Sequence, residues 1–157
     1  MNTCDLCDRF DAQVRVLDLP LRDFGGRRGF SGTVSTIKAY EDNSLVRAAV
    51  AEPGAGRVLV IDGGGSSRRA MLGDQLAAQA AANGWAGVIV FGAIRDSAAI
   101  GAMALGVKAL GTCPRKTDKN GQGQRDVALA FGGVSIRPGH WVCADEDGVV
   151  FADAALE

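Results

Sequence analysis

One histidine, His140, is all the chain has, and nothing pairs with Cys4-x-x-Cys7 to complete a metal knot. A serine hydrolase triad and histidine-based acid–base chemistry are therefore not expected; His140 stands beside a Pro138-Gly139 turn. A structural zinc site takes four ligands, and Cys113 and Cys143 are single. Cys4 and Cys7 are read as a structural or incidental pair in an amphipathic turn with Leu6 and Phe10 on its apolar side. No apolar run approaches the ~20 residues of a membrane span. The acidic start MNTCDLCDRFD lacks the basic-then-apolar order of a secretion signal, which predicts a cytoplasmic protein with reduced thiols. Net charge is −1, and the basic residues are scattered, with one dense cluster at Arg22 to Arg28 and no basic face. Direct nucleic-acid binding is not expected.

Glycine is what the chain has in quantity, 22 of 157 residues, which fits a compact fold with many short connections. Hydrophobic residues make up 47% and charged residues 22%. This is ordinary for a globular protein, and the length suits one domain over residues 1–157. Residues 3–10 read as a helix capped by Thr3, and Val14 to Leu17 as a short strand. Leu21 to Phe30 reads as a loop, and Ser31 to Tyr40 as a strand. Asp42 or Asn43 caps a helix through Ala51 that buries Leu45, Val46, Ala49 and Val50. Arg57 to Ile61 and Gly87 to Phe91 are buried strands, and Ser66 to Leu72 is ambiguous. Asp74 to Asn83 is a helix closed by Gly84, and Asp96 or Ser97 opens a second one to about Leu105. Val107 to Leu110 is a strand followed by the loop CPRKTDKNGQGQ. Several short strands fill Asp126 to Ala152. The strand–helix–strand middle predicts a three-layer α/β core with added β structure.

The segment GDQLAAQAAANGWAGVIVFGAIRD carries the chemistry, with twenty residues between Asp74 and Arg95. A helix start offers free N–H groups to an anion. The strand after it ends at Arg95, a fork for a carboxylate, and Asp96, a hard oxygen ligand. If the loop folds back over the helix start, the three converge on a site suited to a small 2-oxo acid. Taken separately, Asp74 is a helix cap, Arg95 a surface charge and Asp96 an N-cap. The run Asp62-Gly63-Gly64-Gly65-Ser66 follows a strand, yet it matches neither phosphate-loop pattern; glycines that let the backbone pass a packed neighbour explain it. The roles of Arg68 and Arg69 stay open. Asp145-Glu146-Asp147 reads as a solvated turn.

The segments FGGRRGFSG, EDNSL, GRVLVIDGGGSSRRAMLGDQLA, GWAGVIVFGAIRD, GVKALGTCPRK, FGGVSIRPG and ADEDGVV, spread over nearly the whole chain, resemble the RraA-like family. That family contains the regulator of ribonuclease activity A and the class II 4-hydroxy-4-methyl-2-oxoglutarate aldolases. The resemblance implies a swivelling β/β/α fold, assembled as a trimer or as paired trimers in a hexamer. It implies that Gly73, Asp74, Gln75 and Leu76 contact substrate and that Arg95 binds it. Asp96 would hold magnesium or manganese, with Asp74 and Arg95 as the catalytic pair. Members with aldolase activity carry this Asp, twenty residues, Arg-Asp pattern. The implied activity is metal-dependent cleavage to pyruvate with oxaloacetate decarboxylation beside it. The alternative is a non-catalytic regulator that binds a ribonuclease or an RNA helicase. Longer aldolases add an acidic residue from a neighbour's C-terminal extension, and this chain ends at Glu157 without one. A methyltransferase label carried by some relatives is not expected to apply, since no methyl-donor fingerprint is visible.

Overall fold

The runs Val58–Asp62 and Gly87–Ile94 are apolar at successive positions, so both faces of each strand need cover. The computed structural model supplies it from two different layers; it describes residues 1–156, and Glu157 lies outside the described residues. In chain order the elements are α1 (Thr3–Phe10), β1 (Arg15–Val16), β2 (Arg22–Asp23), β3 (Phe30–Lys38), α2 (Ser44–Val50), β4 (Val58–Asp62), β5 (Ala70–Leu72) and α3 (Asp74–Ala82). Then come β6 (Gly87–Ile94), α4 (Ser97–Ile100), β7 (Gly106–Thr112), β8 (Gln124–Arg125), β9 (Leu129–Phe131), β10 (Val134–Ile136), β11 (Trp141–Asp145) and β12 (Gly148–Ala152).

Strands β3, β4, β6 and β7 lie side by side in parallel, and the sheet continues through β11, β12 and β1 on one side and β2 on the other. Alternation along each strand sorts the side chains between layers. Leu59, Ile61, Val88 and Val90 pack with Val46, Ala49 and Val50 of α2, Ala77 and Ala80 of α3, and Ile100 of α4. Val58, Val60 and Ile89 turn the other way, onto Leu129, Phe131, Val134, Ile136, Val142 and Phe151 of the β layer. Burying each such aliphatic side chain contributes roughly 2 kcal/mol. The result is the β/β/α layering that the family resemblance implies.

Element boundaries differ from expectation where tertiary contacts decide them. Asn2, not Thr3, caps α1: its Oδ1 accepts from Asp5 N at 2.8 Å. Thr3 is instead held by Asp145, which accepts from its N and Oγ1 at 2.8 and 2.7 Å. The turn at Asp145 is thus a clamp on the N-terminal helix rather than a solvated bend. The expected loop at Leu21 to Phe30 contains β2, paired with β7. The helix expected to reach Leu105 ends at Ile100. The ambiguous stretch before Gly73 ends as β5, which lies parallel to β6. Because β3, β4, β6 and β7 run in the same direction, their C-terminal ends share one edge, where open α/β sheets place their ligands.

Candidate active site

Helix α3 begins immediately after β5, and β6 ends two residues before α4. The pairing of β5 with β6 therefore puts the start of α3 beside the end of β6. The backbone fastens the two: Arg95 N donates to Leu72 O at 2.9 Å. Asp96 then turns back in the left-handed region, φ 55° and ψ 41°. That conformation is uncommon for a residue with a side chain, and aspartate tolerates it better than most. It occupies the N-cap position of α4 without capping that helix through its side chain. Its carboxylate reaches across to α3, where Oδ2 accepts from Asp74 N at 3.0 Å. Arg95 Nε lies 3.9 Å from the same oxygen.

Gly73 explains how the three groups fit. A Cβ there would sit 3.0 Å from Asp96 Oδ2 and 3.2 Å from Arg95 Nε. The missing side chain is the space that the Arg95-Asp96 pair uses. In the first turn of α3, Gln75 and Leu76 have N–H groups with no intrahelical carbonyl to reach. The helix dipole adds partial positive charge at the same place. Gly73, Asp74, Gln75, Leu76 and Arg95 together line one wall of a cavity of about 230 Å³. Asp96 stands at its edge, hydrogen-bonded to the wall and 39% exposed.

The same lining contains residues that sequence reasoning missed: Asn43 and Arg47 from the start and last turn of α2, and Lys116 and Lys119 from the loop after β7. With Arg95 this makes four cations against the single carboxylate of Asp74 on the lining. A cavity of this balance draws a small polyanion. The only sequence signal of the two lysines was the basic character of PRKTDK, which a bare loop also shows. Asn43 is buried; its Nδ2 donates to Met71 O at 3.3 Å, and its Oδ1 has no partner.

Asp42, next to Asn43, is almost wholly buried and accepts four hydrogen bonds. Ser44 N and Oγ donate to Oδ1, and Asn120 N and Gln122 N to Oδ2. Burial alone would raise its pKa, but those donors outweigh it and hold the carboxyl down at about 2. It thus holds the first N–H of α2 and anchors the loop after β7 at once.

The remaining candidates fall outside this cavity. Gly64 and Gly65 adopt positive φ and pass the rings of Tyr40 and Phe91, at 2.7 and 3.1 Å from where a Cβ would be. Close passage, not phosphate binding, accounts for the Asp62–Ser66 run. Arg68 pairs with Glu41 at 2.8 Å on the surface, and Arg69 Nη1 donates to Lys116 O at 3.1 Å. Cys7 packs with Leu6, Phe10 and Cys143 under α1. His140 Nδ1 accepts from Arg137 N at 3.1 Å; burial, then the nearby Arg15, lowers its pKa.

Among the described residues no three His, Cys, Asp or Glu side chains gather as a ready-made metal cage. Asp96 still fits a magnesium-type ion. Such ions use one or two protein carboxylates and take their other ligands from water and substrate oxygens. One Asp96 oxygen is held by Asp74 N–H, and the side chain is partly open to solvent.

A model of the RraA-like family, described as aldolase/RraA, matches residues 3–151. The chain belongs to the RraA-like family. A member from Alkalilimnicola ehrlichii, provisionally named 4-hydroxy-4-methyl-2-oxoglutarate aldolase, is 56% identical over 98% of this chain and 96% of its own. Two solved structures are close to this RraA-like fold. One is titled S-adenosylmethionine:2-dimethylmenaquinone methyltransferase from Geobacillus kaustophilus. It is 54% identical, with a TM-score of 0.98 over 99% of this chain and 97% of that one. The other is the RNA-processing inhibitor RraA from Thermus thermophilis, 43% identical, with a TM-score of 0.96 over 100% and 95%. Among the described residues no helix is long and apolar enough to cross a membrane.

Proposed function

We propose that this RraA-like chain is a divalent-metal-dependent aldolase of the cytoplasm. It cleaves 4-hydroxy-4-methyl-2-oxoglutarate to two pyruvates and decarboxylates oxaloacetate as a second activity. The observation that carries the reading is the convergence of the α3 N-terminus and Arg95 on one cationic cavity, with the Asp96 carboxylate bonded to Asp74 N at its edge. The aldolase name of the close relatives points the same way.

Arg95 and the N–H groups of Gln75 and Leu76 hold the carboxylate next to the 2-oxo group. A divalent ion held by Asp96, magnesium or manganese, supplies Lewis-acid polarisation of the 2-oxo group when bound. Asp74 orients a water that takes the proton from the 4-hydroxyl. As that oxygen becomes a carbonyl, the C3–C4 bond breaks and its electron pair moves to C3. The first pyruvate leaves with the new carbonyl, and protonation of C3 completes the second. Arg95 and the helix start stabilise the negative charge that develops on the 2-oxo oxygen. Loss of carbon dioxide from oxaloacetate leaves the electron pair on the same carbon, so one site serves both reactions. No lysine Schiff base is needed.

Pyruvate release from the hydroxy-oxo diacid and from oxaloacetate, with magnesium and with excess chelator, tests this. Chelator should abolish release and magnesium or manganese should restore it. Full activity in chelator would sink the mechanism. Asp74→Asn should lower cleavage of the hydroxy acid more than decarboxylation, which removes no hydroxyl proton. Equal loss of both would move Asp74 to a binding role. The active form is proposed as a trimer, alone or paired into a hexamer, with light scattering beside the pyruvate assay as the check. A fully active monomer would refute sites shared between subunits.

A second reading rests on the likeness to the Thermus RNA-processing inhibitor. In it the same surface binds a ribonuclease or an RNA helicase without chemistry. Arg95→Lys protein that still inhibits RNA cleavage would separate that role from catalysis.

A further inference from the structure

The loop between β7 and β8 is fastened along its whole length. Cys113 N donates to Ile94 O at 2.9 Å, and Ala70 N donates to Arg115 O at 2.7 Å. Arg69 holds Lys116 O, and Asn43 N donates to the buried Thr117 Oγ1 at 3.2 Å. Asp42 Oδ2 accepts from Asn120 N at 2.7 Å and from Gln122 N at 3.3 Å, while Ser44 Oγ accepts from Gly121 N at 3.0 Å. Thr117 points inward, whereas Lys116 and Lys119 on either side of it are exposed and line the cavity. Such a dense set of anchors is unusual for an eleven-residue connection rich in polar residues. Its effect is to hold two long cations on the cavity lining that Arg47 and Arg95 also share.

We propose that Asp42 is a positioning residue, and that the loop it anchors makes Lys116, Lys119 and Arg47 a distal anion subsite selecting 2-oxo acids that carry a second carboxylate. This deepens the proposed aldolase reading and rests on it. One end of the substrate belongs to Arg95 and the helix start. Across the cavity, the three cations take the carboxylate at the other end. A loose loop would let the lysines swing into solvent, where their attraction is screened. Asp42 itself is buried away from bulk water and touches the loop backbone, not the ligand. Its influence on binding passes through Lys116 and Lys119.

Calorimetric titration of the magnesium-loaded full chain with 2-oxoglutarate (two carboxylates) and 2-oxobutyrate (one) reads the subsite without needing turnover. Wild-type protein should bind 2-oxoglutarate about ten-fold more tightly, with a preference that shrinks as salt is added. Both Asp42→Asn and the surface double variant Lys116→Gln/Lys119→Gln should bring the two ligands within about two-fold of each other, leaving 2-oxobutyrate affinity unchanged. In Asp42→Asn, amide exchange at Asn120 and Gln122 should quicken. Should Asp42→Asn fail to fold, the double variant decides the subsite alone, because its side chains are exposed. Equal binding of both ligands by wild type, or a preference that survives the double variant, overturns the subsite. A folded Asp42→Asn protein that keeps both the preference and slow exchange overturns the positioning role. If neither 2-oxo acid binds, the aldolase reading and the subsite fall together.

Discussion

Asp42 and Asp96 each adjoin a residue of the cavity lining, Asn43 and Arg95, yet the fold treats their carboxylates in opposite ways. Asp42 is buried, meets four donors and has a pKa pressed down to about 2. Asp96 is 39% exposed, receives one backbone N–H and sits on a left-handed backbone. A carboxylate whose lone pairs are all taken can hold structure but cannot take a ligand. One left half-open on a constrained backbone keeps an oxygen for chemistry. The difference gives one aspartate a structural role and leaves the other open for the reaction proposed here.

Exchanging the groups one at a time sharpens this contrast. The largest effect is expected at Asp96→Asn. Asparagine tolerates the left-handed backbone and can still accept from Asp74 N, so the melting temperature should hold. Pyruvate formation should fall by roughly 10³, in line with losing a group that acts on developing charge. Near-normal turnover would make Asp96 a cap and nothing more. Arg95→Lys comes next, at about 10² in rate, because lysine keeps the charge and loses the planar fork. Steady-state kinetics with both substrates would show an unaffected enzyme if Arg95 were only a surface charge. Gly73→Ala is milder. The new Cβ meets Asp96 Oδ2 at 3.0 Å and must displace the pair by a few tenths of an ångström. About a ten-fold drop in kcat is expected, with stability changed by less than ~1 kcal/mol.

Asp42→Asn should act on stability, with a pH signature. The folded pKa of Asp42 is depressed from 3.8 to about 2. Its stabilisation is thus complete above the unfolded value and is lost as pH falls through the folded one. The charge linkage is worth roughly 2 kcal/mol near neutrality. Urea unfolding of wild type and variant should differ most at pH 7 and converge toward pH 2. A gap independent of pH would detach Asp42 from its donors. Least of all is expected from Arg68→Gln, which removes a surface pair with Glu41 and should cost under ~1 kcal/mol.

Much of the fold was legible because its signals are local. The apolar runs of β4 and β6, the alanine-rich α3 and the glycine turns follow from side-chain period and backbone freedom within a few residues. Caps were less legible. Thr3 looked like the cap of α1, but Asp145, 142 residues away, engages it and leaves the capping to Asn2. Asp96 looked like the cap of α4 and serves α3. Arg47, Lys116 and Lys119 gave no sign that separates a site from a loop, since basic residues look alike whether they face solvent or a cavity.

The sequence by itself determined the layered α/β core, its buried strands and the spacing that puts Asp74 at a helix start and Arg95-Asp96 at a strand end. Those depend on hydrophobic periodicity and turn chemistry, which act between near neighbours. Only the tertiary structure decided that β5 and β6 would pair to bring Gly73 against Asp96, and that Asp42 would hold a loop nearly eighty residues later. Such contacts are set by how whole strands and helices pack. A carboxylate finds its donor wherever burial leaves an N–H without another partner.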